Sequence, residues 1–419
     1  MPPFWKTIAS TSAARAYSLV ASMLILTIVA RWLGPGGQGV MATATSWATL
    51  FGTIGALSLG QVALHRATVR RNEKWLPDTL GTLLVLAVIV TAGAWISAGI
   101  LYAVTGGDLF RAVPDAALVI AFLLVPFLVW EFYNSALLMS VDRIGVYNRA
   151  QLIGRTAALV LLLVCWRLNL GIRSAITVSV ISQALVATIG IRTLYRLAEG
   201  QVRPTLQEGK ALLSGAMRLH VSAISNFFIT SVGVLIISHY RSAPEAGWYQ
   251  VAISLINVMC VVINAAAQVM SVRIAQEGPD RAWSSQRNVI LYVTVAMGIA
   301  ALTAAAAAPF AIPLVLGDRY ATSIGLFQLA LIGLPLISVQ GLMTSQWIGR
   351  GYFTSLSVLS VTAALVQVVI SLKLVPELGA RGGIYANLTT QALLFVVNAM
   401  FALHCELEYR RAAPAAQRA

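Results

Sequence analysis

Twelve apolar stretches, each about the length of a membrane crossing, fill this 419-residue chain. No segment between them is long enough to make a soluble domain. They lie near 11–30, 39–61, 80–103, 116–138, 151–168 and 175–195, and then near 218–238, 248–271, 288–309, 323–343, 353–374 and 383–403. A helix rises about 1.5 Å per residue and the hydrocarbon core is about 30 Å thick, so roughly 20 apolar residues make one crossing. The fold expected is all-α integral membrane. Composition agrees: 58% of residues are hydrophobic and 11% charged, with a mean hydropathy of +0.80. Soluble domains carry about 25% charge, which excludes a water-soluble α/β enzyme.

The net charge of +14 invites a nucleic-acid reading, and its distribution argues against one. With the N-terminus cytoplasmic, nineteen Lys and Arg fall in inner segments and eight in outer ones. That is the positive-inside bias, and it predicts cytoplasmic termini on a multi-pass membrane protein. It also suits the anionic lipids of the inner leaflet.

Catalytic signatures are missing. The one Gly-Lys pair, Gly209-Lys210, is followed by Ala211 and does not make a phosphate-binding loop. The four histidines show no metal-binding spacing, and Cys165, Cys260 and Cys405 all fall in or at the ends of apolar spans, as small buried hydrophobes do. No nucleophile has an adjacent base. We therefore expect no enzyme, no metal and no cofactor, with H+ or Na+ coupling left open.

The chain repeats once, at an offset of 206–209 residues. Thr156–Val160 recurs as Thr362–Val366, and Leu170–Ile176 answers to Leu378–Ile384. The turn Pro35–Gly39 answers to Pro244–Gly247, and Arg143 is matched to Arg350. Six spans per half give both halves the same direction through the membrane, so the expected architecture is two six-helix bundles related by a parallel pseudo-two-fold repeat. The expected domains are a bundle over 1–195, a cytoplasmic linker over 196–217, and a second bundle with a short cytoplasmic tail over 218–419.

Charges inside spans are costly and mark function more often than structure. Arg15 lies in the first span, Glu131 in the fourth and Arg155 in the fifth, while Arg218 and His220 open the seventh. Arg15 and Arg155 are near enough to span ends to snorkel. Glu131 is too deep for that, and Tyr133 or an arginine is its expected partner. Asn226 adds an amide to the seventh span. Asn257, Asn264 and Gln268 share one face of the eighth, as a water-filled pathway would require.

Four segments carry a family resemblance: Ala30–Gly39, Pro244–Tyr249, Leu316–Ala321 and Val375–Ala380. In order and spacing they resemble the loops before helices two, eight, ten and twelve of the multidrug/oligosaccharidyl-lipid/polysaccharide flippase superfamily, in its polysaccharide-exporter, Wzx-like branch. The resemblance covers nearly the whole chain. It implies a transporter that moves a lipid-linked oligosaccharide from the cytoplasmic to the outer leaflet, for exopolysaccharide, capsule or O-antigen (lipopolysaccharide) synthesis. The implied partners are a polyprenyl-diphosphate-linked oligosaccharide, membrane lipids and other polysaccharide-assembly proteins.

Arg15 holds a place where related flippases carry a cavity arginine. Arg218 stands where many relatives have proline, so no role transfers to it. On this reading Arg15, Arg218 and His220 meet the diphosphate, Asn226, Asn257, Asn264 and Gln268 meet sugar hydroxyls, Glu131 couples to protons, and Arg155 is structural or lines the pathway. Two alternatives stay open. One is a cation-coupled drug or small-molecule exporter of the same superfamily. The other is a membrane polysaccharide polymerase or ligase, which the short external segments disfavour.

Overall fold

In the computed structural model the chain forms fourteen α-helices among the described residues, and no strands. The structure describes the backbone of residues 4–69, 75–199 and 201–416, and the side chains of 17–67, 75–199, 201–216 and 220–411. The helices are α1 Phe4–Ala56, α2 Leu59–Val69, α3 Leu76–Val104, α4 Asp115–Phe122, α5 Val125–Ser140, α6 Ile144–Arg167 and α7 Ile172–Leu197. There follow α8 Leu206–Tyr240, α9 Ala243–Glu277, α10 Pro279–Leu316, α11 Ala321–Leu331, α12 Leu334–Gly349, α13 Phe353–Leu378 and α14 Ala380–Ala416. Ten helical segments are long and apolar enough to cross a membrane, and the α11–α12 pair, bent by 50°, makes an eleventh. α1 is itself two crossings joined at Gly34, where φ is 65° and Pro35 follows. The total is the expected twelve.

Two compact units result: Met1–Phe227 with Ser242–Gly247, and Phe228–Arg241 with Trp248–Ala419. The boundary falls inside α8. In the first unit α1 packs on α5 and α6, α2 on α5, and α6 on α7. Ile28 and Val29 of α1 meet Ala158 and Leu162 of α6 and Ala175 and Val178 of α7 in its core. In the second unit α13 packs on α14 and α10 on α12. There Trp347 stacks on Phe401 with ring centroids 3.8 Å apart, against Trp283, Met343 and Cys405.

The backbone shows the repeat more sharply than the side chains. The fourth and tenth spans each break before a proline at the second residue of the new helix, Pro126 and Pro335, 209 residues apart. Each is preceded by a single 3₁₀ turn, Asp108–Phe110 and Asp318–Tyr320, whose aromatic residue is buried. The chain turns left-handed at Asp142 and again at Gly351, just before α6 and α13. That register corrects one sequence match. Arg143 stands opposite Tyr352, because Arg350 closes α12 where Val141 closes α5.

Two repeat-related turns touch within the first unit. A Cβ on Gly39 would overlap the carbonyl of Ala243, and one on Gly247 would overlap the carbonyl of Pro35. Small residues at such crossings let backbones approach with no side chain between them.

The 196–217 segment also differs from expectation. From Leu206 onward it is helical, the first turns of α8. Its Glu208 is buried and accepts a forked pair from Arg66 of α2, at 2.9 and 3.3 Å, and a bond from the Thr79 hydroxyl of α3 at 3.1 Å. Such charge-assisted fork geometry holds the start of α8 to α2 and α3.

Candidate substrate pathway and polar cluster

Glu131 projects from α5 between α6 and α7. One carboxylate oxygen accepts from Gln151 at 2.7 Å and the Tyr147 hydroxyl at 3.2 Å, and the other accepts from Gln183 at 2.8 Å. Tyr147, Gln151 and Arg155 are four residues apart on α6 and so share one face. Gln151 also bonds the Tyr147 hydroxyl at 3.1 Å. Arg155 continues the line to α1, where it donates to the Ser18 carbonyl at 3.1 Å and to the Ser22 hydroxyl. A line of polar residues therefore runs over about two turns of α6, from the carboxylate's partners to the first helix. The Arg155 guanidinium is thus held by α1, and its Nε has no partner. Tyr133, the partner expected for Glu131, bonds the carbonyl of Ala56 instead.

All three partners of Glu131 donate, which is what an ionised carboxylate needs. A buried charge satisfied this way can persist at membrane depth, whereas an unpaired one would cost several kcal/mol or more. The arrangement can hold an anion, exchange a proton or reorder its donors.

The expected amide face on α9 is present and longer than the sequence suggested. Gln250 bonds Ser254 at 3.2 Å, and Asn257, Asn264 and Gln268 follow at helical spacing. These three are exposed and have no hydrogen-bond partner among the described residues. An unbonded amide facing hydrocarbon costs about 2 kcal/mol or more, so this face is suited to water or a polar cargo. Asn226, exposed on α8, belongs to the first unit.

Arg15 and Arg218 lie in α1 and α8, and their side chains are outside the described residues. By register Arg15 shares a helix face with Ser18 and Ser22. His220 is buried near the start of the described part of the seventh span, and its Nδ1 has no hydrogen-bond partner.

Two features escaped sequence reading. The second span is broken at Leu57–Ser58, between α1 and α2, with no proline to announce it. The available signal was the spacing Gly52, Gly55 and Gly60, the last of which lies so close to α5 that a Cβ would overlap the carbonyl of Phe132. Asn134, fully buried three residues after Glu131, has neither amide atom bonded.

The polysaccharide biosynthesis protein family model matches residues 4–276, which is more than half of the chain. The chain belongs to that family. Three solved structures place the fold. A multidrug resistance MATE family transporter of the MOP superfamily, inward-facing, is 16% identical, with 93% of this chain and 95% of that one covered and a TM-score of 0.67. The lipid II flippase MurJ, in an inward closed conformation, is 10% identical, with 95% and 90% covered and a TM-score of 0.69. A MOP superfamily transporter from Pyrococcus furiosus is 15% identical, with 94% and 96% covered and a TM-score of 0.58. No curated protein sequence matches. This member of the polysaccharide biosynthesis family is thus a multi-pass helical membrane protein with the fold of the MATE and MurJ structures.

Proposed function

We propose that the protein flips a polyprenyl-diphosphate-linked oligosaccharide from the cytoplasmic to the outer leaflet by alternating access, supplying exopolysaccharide, capsule or O-antigen assembly. The observation that carries this reading is the family match over residues 4–276. The unbonded amides on α9 support it, because a glycan offers hydroxyls to Asn257, Asn264 and Gln268 that a hydrophobic drug would not. Arg15 and Arg218 are the candidates for the diphosphate, since a guanidinium meets phosphate oxygens as a fork and stays charged.

Glu131 is the coupling residue in this reading, and H+ or Na+ is the ion. Binding a cation there would neutralise the carboxylate and release its donors. Gln151 and Tyr147 would then be free to shift α6, and through Arg155 the hold on α1. The protein resides in the cytoplasmic membrane with both termini inside.

A second reading, cation-coupled drug export, draws on the structural likeness to the MATE transporters. Deletion of the gene separates the two. Loss of the polymer, with lipid-linked repeat units accumulating on the cytoplasmic leaflet, supports the flippase. Normal polymer together with raised drug susceptibility supports the exporter and removes the flippase.

A further inference from the structure

The break in the second span opens on a cavity of about 250 Å³ in the first unit. α1 stops at Ala56, Leu57 and Ser58 take left-handed φ of 49° and 53°, and α2 begins at Leu59. Non-helical backbone at membrane depth is tolerated only where it is buried or lines a polar space. Each of its buried polar groups needs a partner.

Two of its acceptors are taken. The Ala56 carbonyl receives the Tyr133 hydroxyl at 3.1 Å, and the Ser58 carbonyl receives the N–H groups of Gln61 and Val62 at 3.1 and 3.4 Å. The donors are left over. Leu59 and Gly60 open α2 with no carbonyl of their own helix to bond.

Two hydroxyls share that surplus. Thr53 and Ser58 are 7% and 8% exposed, both line the cavity, and neither makes a hydrogen bond. Thr53 is unlike its neighbours on the same helix. Thr45 and Thr49 each donate to the carbonyl four residues earlier, at 2.8 Å, and Thr53 does not. Gln61 adds an unbonded amide to the same wall.

A cavity with two free hydroxyls and a helix N-terminus calls for an acceptor. We propose that it is an oxyanion subsite for a phosphoryl group. The partial positive charge at the start of α2, about half an elementary charge, faces such a group. The Ala56 carbonyl, which would repel it, already holds the Tyr133 proton. The phosphoryl group has two sources of the same chemistry, the head group of a lipid-linked cargo or of an anionic phospholipid. Only the first rests on the proposed function.

The test uses the full chain in phosphatidylcholine nanodiscs and radiolabelled pyrophosphate as the probe. Wild type binds it. Thr53→Val and Ser58→Ala each weaken binding about tenfold, the loss of about 1.4 kcal/mol, while Thr53→Ser restores it. No binding by wild type, or affinity unchanged in both variants, overturns the subsite. Replacing a third of the lipid with phosphatidylglycerol chooses the source. Displacement of pyrophosphate assigns the site to phospholipid and overturns the cargo assignment, and retention supports cargo. Unchanged polymer in a deletion strain would remove the flippase and leave these binding results standing. Lost pyrophosphate binding with intact export would remove the subsite alone.

Discussion

The second and eighth spans hold equivalent places in the repeat and solve one problem differently. Both start from the mutually packed turns at Pro35–Gly39 and Ala243–Gly247. Counting 209 residues from the break at Leu57–Ser58 leads to Ala266–Ala267, inside the unbroken α9. The second span presents polarity by opening its backbone, which fixes donors in place. The eighth keeps every backbone bond and presents rotatable amides from Gln250 to Gln268. Fixed donors suit one group of set geometry, and rotatable amides suit many hydroxyls in varied positions. A duplicated scaffold has thus acquired two kinds of polar surface.

The sharpest way to break this contrast is at Gly60. Gly60→Val drives a side chain into the Phe132 backbone, and overpacking of this kind costs roughly 1–3 kcal/mol or more. We expect a clearly lowered melting temperature in detergent. The equivalent Val269 is 62% exposed on α9, and Val269→Ala should leave the melt within experimental scatter. Equal effects at the two positions would mean that the break is not a tightly packed feature.

Next is the carboxylate, which the second unit lacks at this depth. The nearest analogue there is an amide network: Gln286 bonds the Leu342 carbonyl at 2.8 Å, and Gln346 bonds Gln286 at 2.7 Å. Glu131→Gln replaces one accepting oxygen with an NH2 that faces a donor, removes the charge, and should abolish polymer export at normal abundance. Gln286→Met should instead lower stability by about 1–3 kcal/mol, from unsatisfied partners, and leave export per folded molecule intact. Export by Glu131→Gln that matches wild type at every external pH removes the coupling role.

A graded effect is expected on α9. Asn257→Leu and Asn264→Leu should each reduce export a few fold, and the double variant more than either, as read from surface polymer. Arg15→Lys should reduce export less than Arg15→Ala, because charge is kept and only the fork is lost. If Arg15→Ala exports like wild type, Arg15 only snorkels.

Much of this was legible in the chain. Span number, two-fold repetition and the α9 face follow from apolar length and helical period, which lipid enforces strictly. Glu131 stood out because a carboxylate fifteen residues into an apolar helix has no cheap explanation. Its partners did not, since Gln151 and Gln183 lie on other helices and carry no pattern. The break at Leu57–Ser58 was hidden for a different reason. The Ala56 carbonyl that the break frees is met by Tyr133 reaching in from α5, a tertiary contact that local composition does not contain. Arg350 was matched to the wrong residue because charge was compared where the left-handed turn sets the register.

The most direct measurement is translocation by the purified protein in liposomes. A short-chain polyprenyl-diphosphate oligosaccharide, loaded in one leaflet, should become accessible to a lectin on the other side. The rate should rise with an imposed cation gradient and fall to the protein-free level for Glu131→Gln. A wild-type protein that leaves the lipid in its starting leaflet while moving a cationic dye across the same membrane would contradict the flippase outright.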